Sequence, residues 1–210
     1  MDDANESGAA TGTDVLVPGT RDVRATLDRA PDASAVVVAC PPHPQHRGHR
    51  GDPRLTAVSA ALVERDVACL RIDYGEWDEG YGERADAINA VRWTRNRFDR
   101  VALFGYSFGG AIALLTAAEE SSSDVAGVSA LAPAPRIDHE LDVLGALDAI
   151  GGPVQIHYGA RDDMVDSTPL AEAVRKRGGD VVELSADHFF VGQHDRIGER
   201  VADFLVEAVA

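Results

Sequence analysis

The chain has 210 residues, 45% hydrophobic and 26% charged, and its 35 acidic residues against 20 basic ones give a formal charge of -15. That length and apolar fraction suit one domain with a real core and exclude collagen-like, coiled-coil and disordered chains. The charge excludes a nucleic-acid partner, because phosphate contacts come mainly from clustered Lys and Arg. Residues 1–12 are acidic and small and predict a flexible tail, leaving a single domain over 13–210. The N-terminus has neither a basic nor an apolar segment, and no apolar run reaches the ~18 residues of a membrane span. Cys40 and Cys69 sit inside apolar runs and offer no disulfide framework. A cytoplasmic protein without a membrane partner is therefore expected.

In chain order, residues 15–17 and 23–27 read as short strands joined by a Pro-Gly turn, an opening hairpin. Residues 35–40 form a continuous apolar, β-branched run, 55–65 have helical spacing, and 68–72 are apolar again. An amphipathic helix is predicted over 84–97, a strand over 101–106, a helix over 111–119, a strand over 125–131 and a helix over 141–150. Strands at 154–158 and 181–184 follow, flanked by helices at 169–177 and 196–209, and Ser121 to Ser123 form a turn leaving a helix. Buried strands alternating with helices of ten or more residues indicate βαβ units, hence an α/β fold with a mainly parallel sheet covered on both faces.

Between the strand at 101–106 and the next helix lies Gly105-Tyr106-Ser107-Phe108-Gly109-Gly110, a G-x-S-x-G with one further glycine. A nucleophile elbow needs this context, a strained serine at a strand-to-helix turn with glycines that let neighbouring backbone approach. The plainer reading is a glycine-rich packing turn. Catalytic partners should follow downstream as acid, then histidine. Asp162 lies three residues after Gly159 beyond one strand, and His188 follows the last strand in Asp187-His188-Phe189-Phe190. Parallel strands bring both loops to the sheet edge of Ser107. His188 then serves as general base, and Asp162 holds its tautomer. Asp163, Asp166 and Asp187 compete for the acid position, and the place after Gly159 favours Asp162. His157 lies within a strand and reads as structural; His139 and His194 read as surface residues.

Acyl transfer also needs two N–H donors for the oxyanion. Phe108 N–H is one. The other should come from Pro41-Pro42-His43-Pro44-Gln45-His46, whose prolines have no N–H, so His43 is the candidate and Gln45 the second. His43, His46, His49 and Asp52 are also ligand types at regular spacing, but the intervening Pro and Gly prevent a shared helical face. No metal and no cofactor are expected.

With these residues in hand, the chain resembles the α/β-hydrolase superfamily, and more closely its small, lidless, dienelactone-hydrolase-like group. The resemblance spans roughly 33–208 and is carried by Cys40-Pro41-Pro42-His43-Pro44, Leu70-Arg71-Ile72-Asp73-Tyr74, Gly82-Glu83 with Asp86, the elbow, Gly159 with Asp162 and Val165, and Asp187-His188-Phe189-Phe190. It implies a mainly parallel sheet of seven or eight strands, no lid, and a serine hydrolase acting on esters. Three departures stand out: Ser107 where dienelactone hydrolases proper carry Cys, Pro41 where relatives often have His, and a short acidic segment over 75–82. Trp77 and Tyr81 either line a pocket or cover the sheet.

Nineteen of the basic residues are Arg and only Lys176 is Lys, an acidic, lysine-poor composition that resembles proteins of salt-loving archaea. The expected reaction is cleavage of a carboxylic ester or thioester of a small-molecule acyl substrate through an acyl-Ser107. A peptidase or acyltransferase using the same residues, and a non-enzymatic binding protein, are the alternatives. A dehalogenase would want a carboxylate at 107. Oligomeric state has no signature in the sequence.

Overall fold

The computed structural model describes residues 12–120 and 124–210, so the expected tail, Gly12 apart, and the turn at 121–123 lie outside the described residues. The chain opens with the hairpin β1 (Thr13–Val17) and β2 (Val23–Asp28), then β3 (Ala35–Cys40), α1 (Pro53–Val63), β4 (Val67–Asp73), α2 (Tyr81–Arg95) and β5 (Arg100–Tyr106). It continues with α3 (Phe108–Glu119), β6 (Val128–Leu131), α4 (Val143–Ala146), β7 (Val154–Gly159), α5 (Thr168–Lys176), β8 (Asp180–Leu184) and α6 (His194–Val209). The strands form one sheet in the order β1-β2-β4-β3-β5-β6-β7-β8. β2 runs antiparallel to both its neighbours, and every pairing from β4 across to β8 is parallel.

Period-two alternation divides the core between the two faces. Val36 and Val38 of β3 and Val101 and Leu103 of β5 pack with Val91, Ile112 and Val174 of α2, α3 and α5. Val37, Ala102 and Phe104 face the other way, onto Leu55 and Leu62 of α1 and Val201 and Leu205 of α6. Strands buried on both faces need an unbroken apolar run, which β3 supplies.

Several boundaries differ from expectation for local reasons. β6 begins at Val128, three residues late; residues 126 and 127 still bond to β5, but on the β7 side Pro153 accepts from Val128 N–H and has no N–H to extend the ladder. The helix expected over 141–150 is only α4 and a 3-10 turn, Leu147–Ala149; Asp142 caps its start and Arg177 takes the Leu147 and Ile150 carbonyls at its end. α2 starts three residues early because Glu83 reaches back to accept from Gly80 N–H at 2.8 Å, an N-terminal cap invisible to hydrophobic periodicity.

His157, on β7, is buried with both ring nitrogens lacking a hydrogen-bond partner among the described residues. Burial pushes its pKa down to about 4, with Arg200 adding to the effect against the opposing charge of Asp180. A neutral native imidazole means that the unfolded chain takes up a proton first on acidification, so stability is complete above about pH 6.5 and declines toward pH 4. A fall from 6.5 to about 4 corresponds to roughly 3 kcal/mol. His157→Leu should flatten urea-derived stability across that window by about this amount; an unchanged pH slope would contradict it.

Candidate active site

The elbow is built by close backbone approach. Ser107 has φ 56 and ψ -121, a left-handed conformation that a non-glycine residue adopts only under constraint, and its N–H donates to Leu131 O at 2.8 Å. A Cβ on Gly105 would collide with Gly109 O, and one on Gly109 would collide with the carbonyl oxygens of Cys40 and Pro41. The glycines therefore let α3 dock on the ends of β5 and β3. Ser107 is the N-cap of α3, so its side chain stands at the positive end of that helix.

Loops at the carboxyl ends of β7 and β8 converge on it. Arg161 N–H donates to Ala186 O at 2.9 Å, and Gly159 is small enough for the two loops to meet. Asp162 Oδ1 accepts from Met164 N–H at 3.0 Å and Val165 N–H at 2.9 Å, which turns Oδ2 toward His188 Nδ1 at 2.7 Å. His188 Nε2 lies 2.9 Å from Ser107 Oγ. The Asp162 and His188 side chains are 2% and 5% exposed, so their interaction is shielded from solvent. The other carboxylates take different tasks: Asp166 accepts from Thr168 N–H, Asp187 from Phe189 N–H, and Asp163 is exposed.

Phe108 begins α3, so its N–H has no acceptor within the helix. In the first loop, His43 Nδ1 accepts from Gln45 N–H at 3.3 Å, which occupies the second-choice donor and leaves His43 N–H as the candidate. The His43 carbonyl accepts from His46 and Gly48 N–H, folding the loop back on itself. The ring of His43 lies 4.4 Å from Trp77 and 4.9 Å from Phe108, centroid to centroid, and burial together with His46 lowers its pKa.

The four metal-ligand types of this loop do not converge. His43 and His46 stack at 4.7 Å, His49 Nδ1 accepts from Gly51 N–H, and Asp52 binds Arg54. Among the described residues no group of three His, Cys, Asp or Glu is placed to hold a metal ion. Cys40 and Cys69 are buried, and burial raises both thiols to about 12, which keeps them from acting as nucleophiles.

Ser107 and His188 open into a cleft of about 500 Å³. Trp77 lines it and also packs on the core, whereas the Tyr81 hydroxyl lies 2.9 Å from both the Asp138 and the Glu140 carboxylate, which share its one proton. The far wall was not identifiable from motifs: Ala134, Ile137 and Asp138 come from the loop after β6. The available signal is positional, since that loop leaves the carboxyl end of the strand beside β5. His139 is exposed, and His194 sits at the start of α6 with Nε2 3.2 Å from Phe189 O. Among the described residues no helix is long and apolar enough to cross a membrane.

The model of the dienelactone hydrolase family matches residues 65–202, about two thirds of the chain. An α/β serine hydrolase homologue from Coxiella burnetii is 26% identical, with 95% of this chain and all of that one aligned at a TM-score of 0.80. A lidless α/β serine hydrolase from Xanthomonas campestris is 19% identical, with 96% of each chain covered and a TM-score of 0.78. An esterase from Pyrococcus furiosus, 15% identical, covers 96% of this chain and 94% of its own at 0.81. No curated protein sequence matches significantly. With an elbow serine on an eight-stranded, mainly parallel sheet and a family match across β4 to α6, the chain belongs to the dienelactone hydrolase family and has the α/β-hydrolase fold.

Proposed function

We propose that the protein is a serine hydrolase that cleaves carboxylic esters or thioesters through an acyl-Ser107 intermediate. His188 takes the Ser107 proton as Oγ attacks the acyl carbon, and Asp162 holds Nδ1–H and stabilises the imidazolium. Phe108 and His43 N–H groups receive the tetrahedral oxyanion. His188 then protonates the departing alcohol or thiol, and water, deprotonated by the same imidazole, releases the acid. The observation that carries this reading is the relay of two hydrogen bonds, 2.9 Å and 2.7 Å, from Ser107 through His188 to Asp162.

The cleft favours small, uncharged acyl groups, because its apolar walls include Trp77, Phe108, Ile137 and Met164, while Glu79, Asp138 and Arg136 add charges of both signs to its lining. Stopped-flow hydrolysis of p-nitrophenyl acetate, butyrate and octanoate tests this. A burst of about one equivalent of p-nitrophenol followed by steady turnover, lost in Ser107→Ala, is the expected result. Equal hydrolysis by Ser107→Ala and wild type would overturn it.

We further propose, from one lysine and a charge of -15, that the protein works in concentrated salt as a single domain over 13–210. Raising KCl from ~0.15 M to ~1 M shortens the Debye length from ~8 Å to ~3 Å and screens the self-repulsion. The melting temperature should rise by roughly 5 °C or more over that range, in one transition. A flat or falling Tm would contradict the salt assignment.

A further inference from the structure

Behind the relay, on the α1 face of the sheet, lies a buried charged cluster that the proposed chemistry does not use. Asp52 caps α1 by accepting from Arg54 N–H at 2.9 Å, and its carboxylate also pairs with the Arg54 guanidinium through Nε at 2.8 Å and through Nη2. These side chains are 8% and 13% exposed. A cap needs only the first bond, and burying an ion pair carries a desolvation cost, so the cluster calls for a further role.

The guanidinium has two other neighbours. It lies 4.3 Å from the centroid of the Tyr106 ring, and its Nη1 donates to Phe189 O at 3.2 Å. Tyr106 is the residue before the nucleophile. Its buried hydroxyl donates to His188 O at 2.9 Å, and its ring centroid lies 5.5 Å from that of His188. Donors from α1 and from the elbow strand thus hold two successive carbonyls, those of His188 and Phe189, in the loop carrying the imidazole. The next residue, Phe190, has φ 52, so the loop bends sharply and gains from external anchors.

Resting on the proposed role of His188, we infer that Tyr106 and the Asp52–Arg54 pair are positioning residues, which clamp the backbone of the His188 loop so that the imidazole meets Ser107 and Asp162 together. None of the three belongs to the cleft that receives substrate. The clamp should therefore act on kcat and leave KM alone. The pair itself carries no net charge, because Asp52 and Arg54 offset each other. The titratable and charged groups around the His188 loop are Asp162 from the β7 loop, Asp187 from its own loop, Arg54 with Asp52 from α1, and His194 from α6, whose Nε2 lies 3.2 Å from Phe189 O; Tyr106, pushed up to about 12 by burial, stays neutral.

The test uses the full-length protein and p-nitrophenyl butyrate. Tyr106→Phe keeps the ring and removes one hydroxyl, so it should fold, lower kcat by about 30-fold and leave KM within twofold. Asp52→Asn leaves Arg54 uncompensated and should move the acid limb of kcat/KM to lower pH. Arg54→Met leaves Asp52 uncompensated and should move it to higher pH, each by roughly half a unit. Wild-type kcat in Tyr106→Phe, or a loss appearing only in KM or thermal stability, would overturn the clamp; shifts of the same sign in the two charge variants would overturn its charge balance. Ser107→Ala separates the two levels: if it is as active as wild type, the reading of the site fails, whereas a dead Ser107→Ala beside a fully active Tyr106→Phe removes the clamp alone.

Discussion

Asp162→Asn should lower kcat by about four orders of magnitude with little change in KM. The reason lies in how Asp162 is held. Oδ1 accepts the Met164 and Val165 N–H groups, and an asparagine carbonyl can do the same, so the loop keeps its shape. The amide NH2 then falls where Oδ2 stood, 2.7 Å from His188 Nδ1. Facing a donor, Nδ1 must accept, the ring proton moves to Nε2, and Nε2 can no longer take the proton from Ser107 Oγ. Geometry survives while the tautomer is wrong. Asp163→Asn is the matched control, because Asp163 is exposed, and its kcat should stay within about threefold of wild type. Equal losses in the two variants, or a loss only at Asp163, would move the acid role away from Asp162.

Gly109→Ala is the second large effect. Its new methyl would collide with two backbone carbonyl oxygens, those of Cys40 and Pro41, which cannot rotate away as a side-chain end would. Either α3 retreats from the sheet or the strand end moves, and that strand end leads directly into Pro42 and His43. In the proposed mechanism, separating the Phe108 and His43 N–H groups amounts to losing one oxyanion donor, which costs about 100-fold to 1,000-fold in kcat. Gly110→Ala provides the comparison: its Cβ would meet Gly105 O and Pro133 Cβ at 3.2 Å each, a crowding that small shifts relieve. Steady-state kinetics on both variants, with circular dichroism to establish folding, should find kcat far lower in Gly109→Ala. Similar kcat values would show that the approach of α3 to β3 does not set the oxyanion geometry.

What the sequence makes readable is what is local. Ser107, Asp162 and His188 each follow a strand and precede a turn or helix, and in a parallel sheet those positions share one edge whatever the details of packing. The mainly parallel sheet follows equally from short apolar runs alternating with helices. The walls of the cleft depend on long-range placement instead. Trp77 reaches Phe108 and His43 because Glu83 and Asp86 bind the amides of Asp78, Gly80 and Gly75, two carboxylates in a helix that patterns as ordinary amphipathic sequence. That Gln45 N–H is engaged by His43 Nδ1 is a side-chain contact that no spacing rule contains. Tyr106, a free position of the elbow motif, gains a task only through a carbonyl 82 residues away.

The most direct test of the proposed chemistry is labelling with a fluorophosphonate in concentrated KCl, followed by intact-protein and peptide mass spectrometry. The expected result is one adduct per chain on Ser107, abolished in Ser107→Ala and strongly slowed in His188→Ala. Labelling and ester hydrolysis by Ser107→Ala at the wild-type rate would contradict an acyl-Ser107 mechanism.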